Sequence, residues 1–343
     1  MKGSASGYDR SNYIDTPANY ILLIGVSLFF WIAGYVDSIG YPVYSEVSAT
    51  PLWDMVCHIL PGKAVTYLIG FLLLAGGAFL IHRANYMLII IREKTFMPFL
   101  FYFLFISSNA NFIPLTSASL SIFCLILSFY QLFTVYHDPL AIGKMFNAAF
   151  FIGIGSLLWV HVLWFLPLFW WGMYYFKSMS IRTFGASICG LATIYWFLLG
   201  WCVWQHDFTP FSLPFGSLFK VSFPDLIAMW LVDWLSILFV LFLALMAMGN
   251  ILLHEYDDNL RTRQFLFFFI IFTLGTFGLC FVYAQQSAEF QSVACMPFSI
   301  LLAHFFTTAK GKKRHWLYYA AILIYIFLAI IRSPWGPFPP DVL

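Results

Sequence analysis

The chain has 343 residues, of which 62% are apolar and only 9% charged, with a formal net charge of +2. A soluble domain carries about 25% charged residues, so charge this scarce cannot cover a water-facing surface, and most of the exterior must meet lipid. Soluble enzymes and nucleic-acid binders are excluded, and the lipid bilayer is the first expected partner.

Backbone polar groups in hydrocarbon must be satisfied within the protein, which leaves helices or a closed barrel. Barrel strands alternate apolar and polar residues over about ten positions, whereas the apolar runs 226–248 and 265–283 are continuous. The expected fold class is therefore all-α, a polytopic transmembrane helix bundle forming a single domain over 1–343. Residues 1–18 are polar, carry Asp9 and Asp15, and read as a cytoplasmic segment. The run 20–36 lacks a small-x-small cleavage site and reads as a first spanning helix rather than a signal peptide.

A span needs about 20 apolar residues, which places candidate spans at 19–36, 64–82, 96–108, 116–135, 145–159, 160–177, 183–203, 226–249, 264–284, 288–308 and 316–332. The third and fifth are short and must be tilted, partial or covered by protein. Residues 145–177 are too many for one span, so two helices meet near Trp159 and His161. The segment 37–63 is long and mildly acidic, with Asp37, Glu46 and Asp54, and 204–225 is rich in Pro and Phe, as if lying at an interface. The tail beyond Arg332 holds prolines that exclude a helix. The six cysteines show no CxxC spacing and read as small packing residues.

Lys and Arg concentrate in cytoplasmic loops. With about eleven crossings and the N-terminus inside, 14 of the 17 cations fall inside, including Arg83, Arg92, Lys94, Arg182 and the run Lys310 to Arg314. Only Lys63, Lys220 and Arg332 fall outside. The expected topology is N-terminus in and C-terminus out, with 37–63 and 204–225 as the longer outside loops.

An acid inside a span costs about 2.5–3.5 kcal/mol and normally faces the bundle interior. Asp233, about a third into its span, is the clearest such residue, either bridging helices or functional. Glu289, preceded by Gln285 and Gln286, is either part of a polar cavity wall or a solvated loop residue. Asn109 and Asn111 form a polar turn that is a lining element or an exposed hairpin tip. Asn147, Gly153, Gly155 and Ser156 read mainly as a helix-packing face, and His161 as a satisfied helix-end histidine. His254, Glu255, Asp257 and Asp258 lack the HExxH spacing of a metal site and read as a solvated loop, and no resident metal is indicated.

Asp37 directly follows the first helix on the outer side. Further on come a helix ending in aromatics (SFYQLFTVYHDP), a small-residue helix (FNAAFFIGIGSLLW), an aromatic Pro-containing helix (VLWFLPLFWWGMYYF) and a basic turn leading into another helix. Across roughly 19–203 this order resembles the membrane half of the GT-C superfamily of glycosyltransferases. It also resembles an uncharacterised multi-pass membrane protein family of Bacteroidota. The GT-C resemblance implies a polyprenyl-phosphate-linked sugar donor used on the outer face of a bacterial cytoplasmic membrane. Under it Asp37 is the general base or binds a divalent metal. Lys220 or Arg332 holds the donor phosphate, and Glu46 and Asp54 lie on the substrate side. The sequence equally admits a non-catalytic subunit or scaffold among other envelope membrane proteins. A transporter ranks third, because no inverted repeat is visible.

Overall fold

The structure is a computed structural model and describes residues 14–37, 50–59, 62–109, 112–224, 231–254, 258–308 and 312–332. Glu46, Asn111, Glu255 and Asp257 lie outside the described residues. Among the described residues every named element is helical, and the sole β contact is an isolated bridge between Ser222 and Tyr283.

Seven helices are long and apolar enough to cross a membrane: α1 (Pro17–Asp37), α3 (Lys63–Leu88), α5 (Ser117–Thr134), α8 (Ile181–Gln205), α10 (Leu231–Leu253), α11 (Leu260–Val282) and α12 (Ser287–Thr307). Three more apolar helices have shorter qualifying runs: α4 (Met97–Ser107), α6 (Ile142–Leu158) and α13 (Lys312–Arg332). The remainder are α2 (Pro51–Ile59), α7 (Leu166–Tyr175) and α9 (Thr209–Leu218). The chain is thus a multi-pass membrane protein. The span expected at 160–177 divides into a 3₁₀ segment, Val160–Phe165, followed by α7. Both long loops expected outside contain a helix, α2 in the first and α9 in the second.

Local chemistry sets several of these boundaries. Capping boxes open α5 and α8, where Thr116 pairs with Ser119 and Ser180 with Thr183, satisfying amides that a helix start leaves unpaired. Pro98 in α4 and Pro210 in α9 occupy first-turn positions, where the missing N–H is not needed. Eleven residues make α4 only about 16 Å long, but nearly all of it is buried, so it is a short helix enclosed by protein.

Successive helices run in opposite directions, as contacts at both ends record. At the end where α1 finishes, the Thr50 hydroxyl donates to Leu158 O at 2.7 Å, Ser108 meets the Tyr325 hydroxyl at 2.5 Å, and Tyr283 donates to Leu218 O at 2.8 Å. At the opposite end the Tyr319 hydroxyl donates to Asn19 at 2.9 Å, Thr262 to Ile89 O at 3.0 Å, and His137 N to Phe176 O at 3.0 Å.

Phenylalanine fills the core. Phe133 packs against Phe176, Phe265, Phe268 and Phe269 at centroid separations of 5.1 to 5.7 Å. Such ring pairs add about 0.5–1.5 kcal/mol each beyond area burial. α12 is enclosed along almost its whole length, packed by α4, α5, α10 and α11. α8 and α13 instead expose Trp196, Phe197, Leu323 and Phe327, which in a bilayer meet lipid. The small-residue face of α6 behaves as expected at Gly153, Gly155 and Ser156, where Ser121 donates to Gly155 O at 2.9 Å and Ser156 meets the Tyr195 hydroxyl at 2.8 Å. Asn147 differs and is exposed.

Candidate functional site: a polar corner beside a lateral apolar groove

Every sequence-selected site residue whose backbone is described lies at one end of the bundle, the end where α1 finishes. Asp37 is the last described residue of α1, Asp54 lies in α2, Asp233 lies in α10, and Arg332 is the last described residue of α13. The side chains of these four lie outside the described residues. Asp233 lies within α10, whose described part is Leu231–Leu253. Asn109 is in the turn after α4, where its carbonyl accepts the Phe112 amide at 3.0 Å.

Lys220 and Glu289 come to the same corner. The segment carrying Lys220 is laced onto the turn between α11 and α12: Ser222 N donates to Val282 O at 3.1 Å, and Ala284 N returns a bond to Ser222 O at 2.8 Å. Lys220 itself is exposed. On the facing side the Trp159 indole N–H donates to Gln286 Oε1 at 2.6 Å, so Gln286 belongs to the bundle rather than to a solvated loop. Glu289, in the first turn of α12, is half-buried, and its Oε2 is shielded with no hydrogen-bond partner among the described residues. His161 departs from the expected satisfied histidine. It is 2% exposed, lies 5.1 Å from the Tyr283 ring and 5.6 Å from Trp159, and its Nδ1 has no hydrogen-bond partner among the described residues. The 3₁₀ segment turns the imidazole inward among rings that offer no acceptor.

Below this corner runs a groove of about 650 Å³ between α7 with its preceding 3₁₀ segment and α11. Trp164, Phe165, Trp171, Phe267, Ile271 and Leu279 line it, and Gly275 leaves it open, because a Cβ there would meet nothing within 4 Å. From Phe267 to Leu279 the helix rises about 18 Å. Thr276 contributes no free polarity, since its hydroxyl donates to Phe272 O at 2.7 Å. Trp164 at the groove mouth is 6.2 Å from Tyr283, so groove and polar corner are contiguous.

At the opposite end the solvated-loop reading of the segment around Asp258 is corrected. Asp258 and His304 form a pair at 3.0 Å, with side chains only 8% and 4% exposed. A partner on α12 buries the carboxylate, which local sequence cannot reveal. No group of three His, Cys, Asp or Glu side chains that could hold a metal occurs among the described residues.

Two features of the first end were not foreseen from sequence: the unpartnered Nδ1 of His161, and the Lys63 ammonium packed against aromatic rings. Comparison with known protein families and with curated proteins finds no match. The residues alone therefore carry the functional reading.

Proposed function

We propose that this protein acts on the outer face of a bacterial cytoplasmic membrane, as a GT-C-like glycosyltransferase taking its sugar from a polyprenyl-phosphate-linked donor. The carrying observation is the apolar groove between α7 and α11 that ends at the corner of Lys220, His161 and Glu289. A prenyl tail lies along the groove, and the donor phosphate sits at the corner, where Lys220 supplies positive charge as the leaving phosphate gains negative charge. Asp37, on α1 and away from the groove, is assigned the proton of the acceptor hydroxyl on the resemblance alone, and a divalent metal belongs to this reading only through that carboxylate. The proposed topology is eleven crossings with the N-terminus inside, which the alternating helix directions and the cation asymmetry support.

The test is photo-crosslinking in lipid nanodiscs with a polyprenyl phosphate bearing a photo-reactive tail, set against a phosphatidylcholine bearing the same group. The prenyl probe is expected to concentrate on α7 and α11 around Gly275, and Gly275→Phe, which fills the groove, to remove that labelling. Prenyl labelling spread over the lipid-facing helices like that of phosphatidylcholine refutes the reading. The second reading, a non-catalytic subunit of an envelope complex, draws support from α8, whose exposed Trp196, Phe197, Trp201 and Trp204 offer a broad aromatic face to a neighbouring membrane protein.

A further inference from the structure

Away from the groove, the start of α3 faces the last turns of α1. Four aromatic residues meet there. The Trp31 and Tyr35 rings are parallel at 6.1 Å, Tyr35 meets Tyr67 edge-on at 5.2 Å, and Trp31 meets Phe71 edge-on at 5.2 Å. The Lys63 ammonium sits against this wall, 5.2 Å from the Tyr35 centroid and 5.8 Å from that of Tyr67. Its Nζ is shielded from solvent and makes no hydrogen bond with any described residue, and the same holds for Trp31 Nε1.

Two shielded donors beside one pair of rings is an unusual arrangement. Two ring faces return only part of the solvation that a sealed ammonium loses. An indole N–H in such a place ordinarily finds an acceptor. Lys63 is also the first residue of α3, whose N-cap is Gly62, so the positive end of the helix dipole adds to the ammonium charge. All three contributions favour one chemistry, an oxyanion with several acceptor oxygens. Ile32, Leu68 and Leu72 on the same two helices are exposed as lipid-facing side chains, which sets this cluster at the rim of the bilayer.

We propose that Lys63 and Trp31 bind a phosphate-bearing anion at this end of the bundle, with Tyr35 and Tyr67 as the walls that position the ammonium. The phosphate comes from a lipid headgroup or from free phosphate, and the test separates the two. This inference is independent of the groove and of any catalytic role for Asp37.

The full chain is purified in detergent. Its thermal unfolding midpoint is measured against phosphatidylglycerol, phosphatidylcholine and inorganic phosphate, and retained lipid is counted by native mass spectrometry. Phosphatidylglycerol is expected to stabilise the wild type more than phosphatidylcholine. Lys63→Gln should weaken phosphatidylglycerol binding about tenfold and Trp31→Phe about threefold, while Lys63→Arg keeps most of it, as expected for loss of charge-assisted donors. Stabilisation by inorganic phosphate that is lost in Lys63→Gln assigns the site to a free anion, and loss confined to phosphatidylglycerol assigns it to a lipid. Wild-type affinity for both probes in Lys63→Gln overturns the proposal. Should that variant fail to fold, unchanged binding in Trp31→Phe, which keeps an aromatic ring and removes only the donor, overturns it equally.

Discussion

Gly190 is where α8 comes closest to α6. A Cβ built on it would lie 2.3 Å from Phe146 O and 3.2 Å from Phe150 N, against an ordinary contact beginning near 3.4 Å. The obstacles are backbone atoms, which cannot rotate aside, so Gly190→Ala must drive the two helices apart by about 1 Å. Overpacking of this kind costs about 1–3 kcal/mol. The same displacement stretches the 2.8 Å contact between Ser156 and Tyr195 beyond hydrogen-bond length, a further loss of about 1 kcal/mol. Alanine returns about 1 kcal/mol through helix propensity, leaving a net loss of about 2 kcal/mol. Gly185 in the same helix has nothing within 4 Å of its would-be Cβ, so Gly185→Ala keeps the gain without the clash. At Gly153 the obstacles are Ile194 Cγ1 at 2.9 Å and Cβ at 3.1 Å, a milder overlap than at Gly190 that a smaller helix displacement relieves. Unfolding midpoints in detergent should therefore rise in the order Gly190→Ala, Gly153→Ala, wild type, Gly185→Ala. A Gly190→Ala protein as stable as Gly185→Ala would refute the close approach of α6 and α8.

Breaking the Asp258–His304 pair by Asp258→Ala or His304→Ala leaves one buried polar partner uncompensated and should cost about 3 kcal/mol; the double variant, measured by the same unfolding assay, should cost less than the sum. Asp37→Asn should lower glycan transfer by roughly 10²–10⁴-fold with nearly wild-type expression and unfolding, whereas undiminished transfer removes Asp37 from the chemistry. Reporter fusions after Lys94, Arg182 and Lys313 should report the cytoplasm and fusions after Ser45 and Phe215 the exterior, any reversal breaking the eleven-crossing topology.

Most helices were legible because a lipid-facing helix writes a continuous apolar run of the right length. The division near Trp159 and His161 was legible too, because 33 residues exceed one span. α2 and α9 were not, since nine or ten residues without a full apolar run read as loop, and Pro214 inside α9 argues against a helix. Site residues were legible only as candidates. Sequence does not tell the ring-packed Lys63 from the exposed Lys220, because that packing depends on rings from α1 and α3 converging. Asp258 was misread for a related reason. Its partner His304 lies on a helix whose packing, rather than spacing along the chain, brings it near.

The enclosure of α12 has a consequence for synthesis. Its Ser292, Ser299, His304 and Pro297 sit where neighbouring helices surround them, not where hydrocarbon would accept them. The neighbours that shelter α12, namely α4, α5, α10 and α11, all precede it in the chain, and the surrounding bilayer offers it no comparable refuge. A nascent chain halted after α11 would leave Phe101, Phe105 and Trp159 without the α12 rings they pack against. Insertion of α12 is thus the event that closes the interior, and quality-control proteases should distinguish finished from unfinished molecules late in translation, at that step.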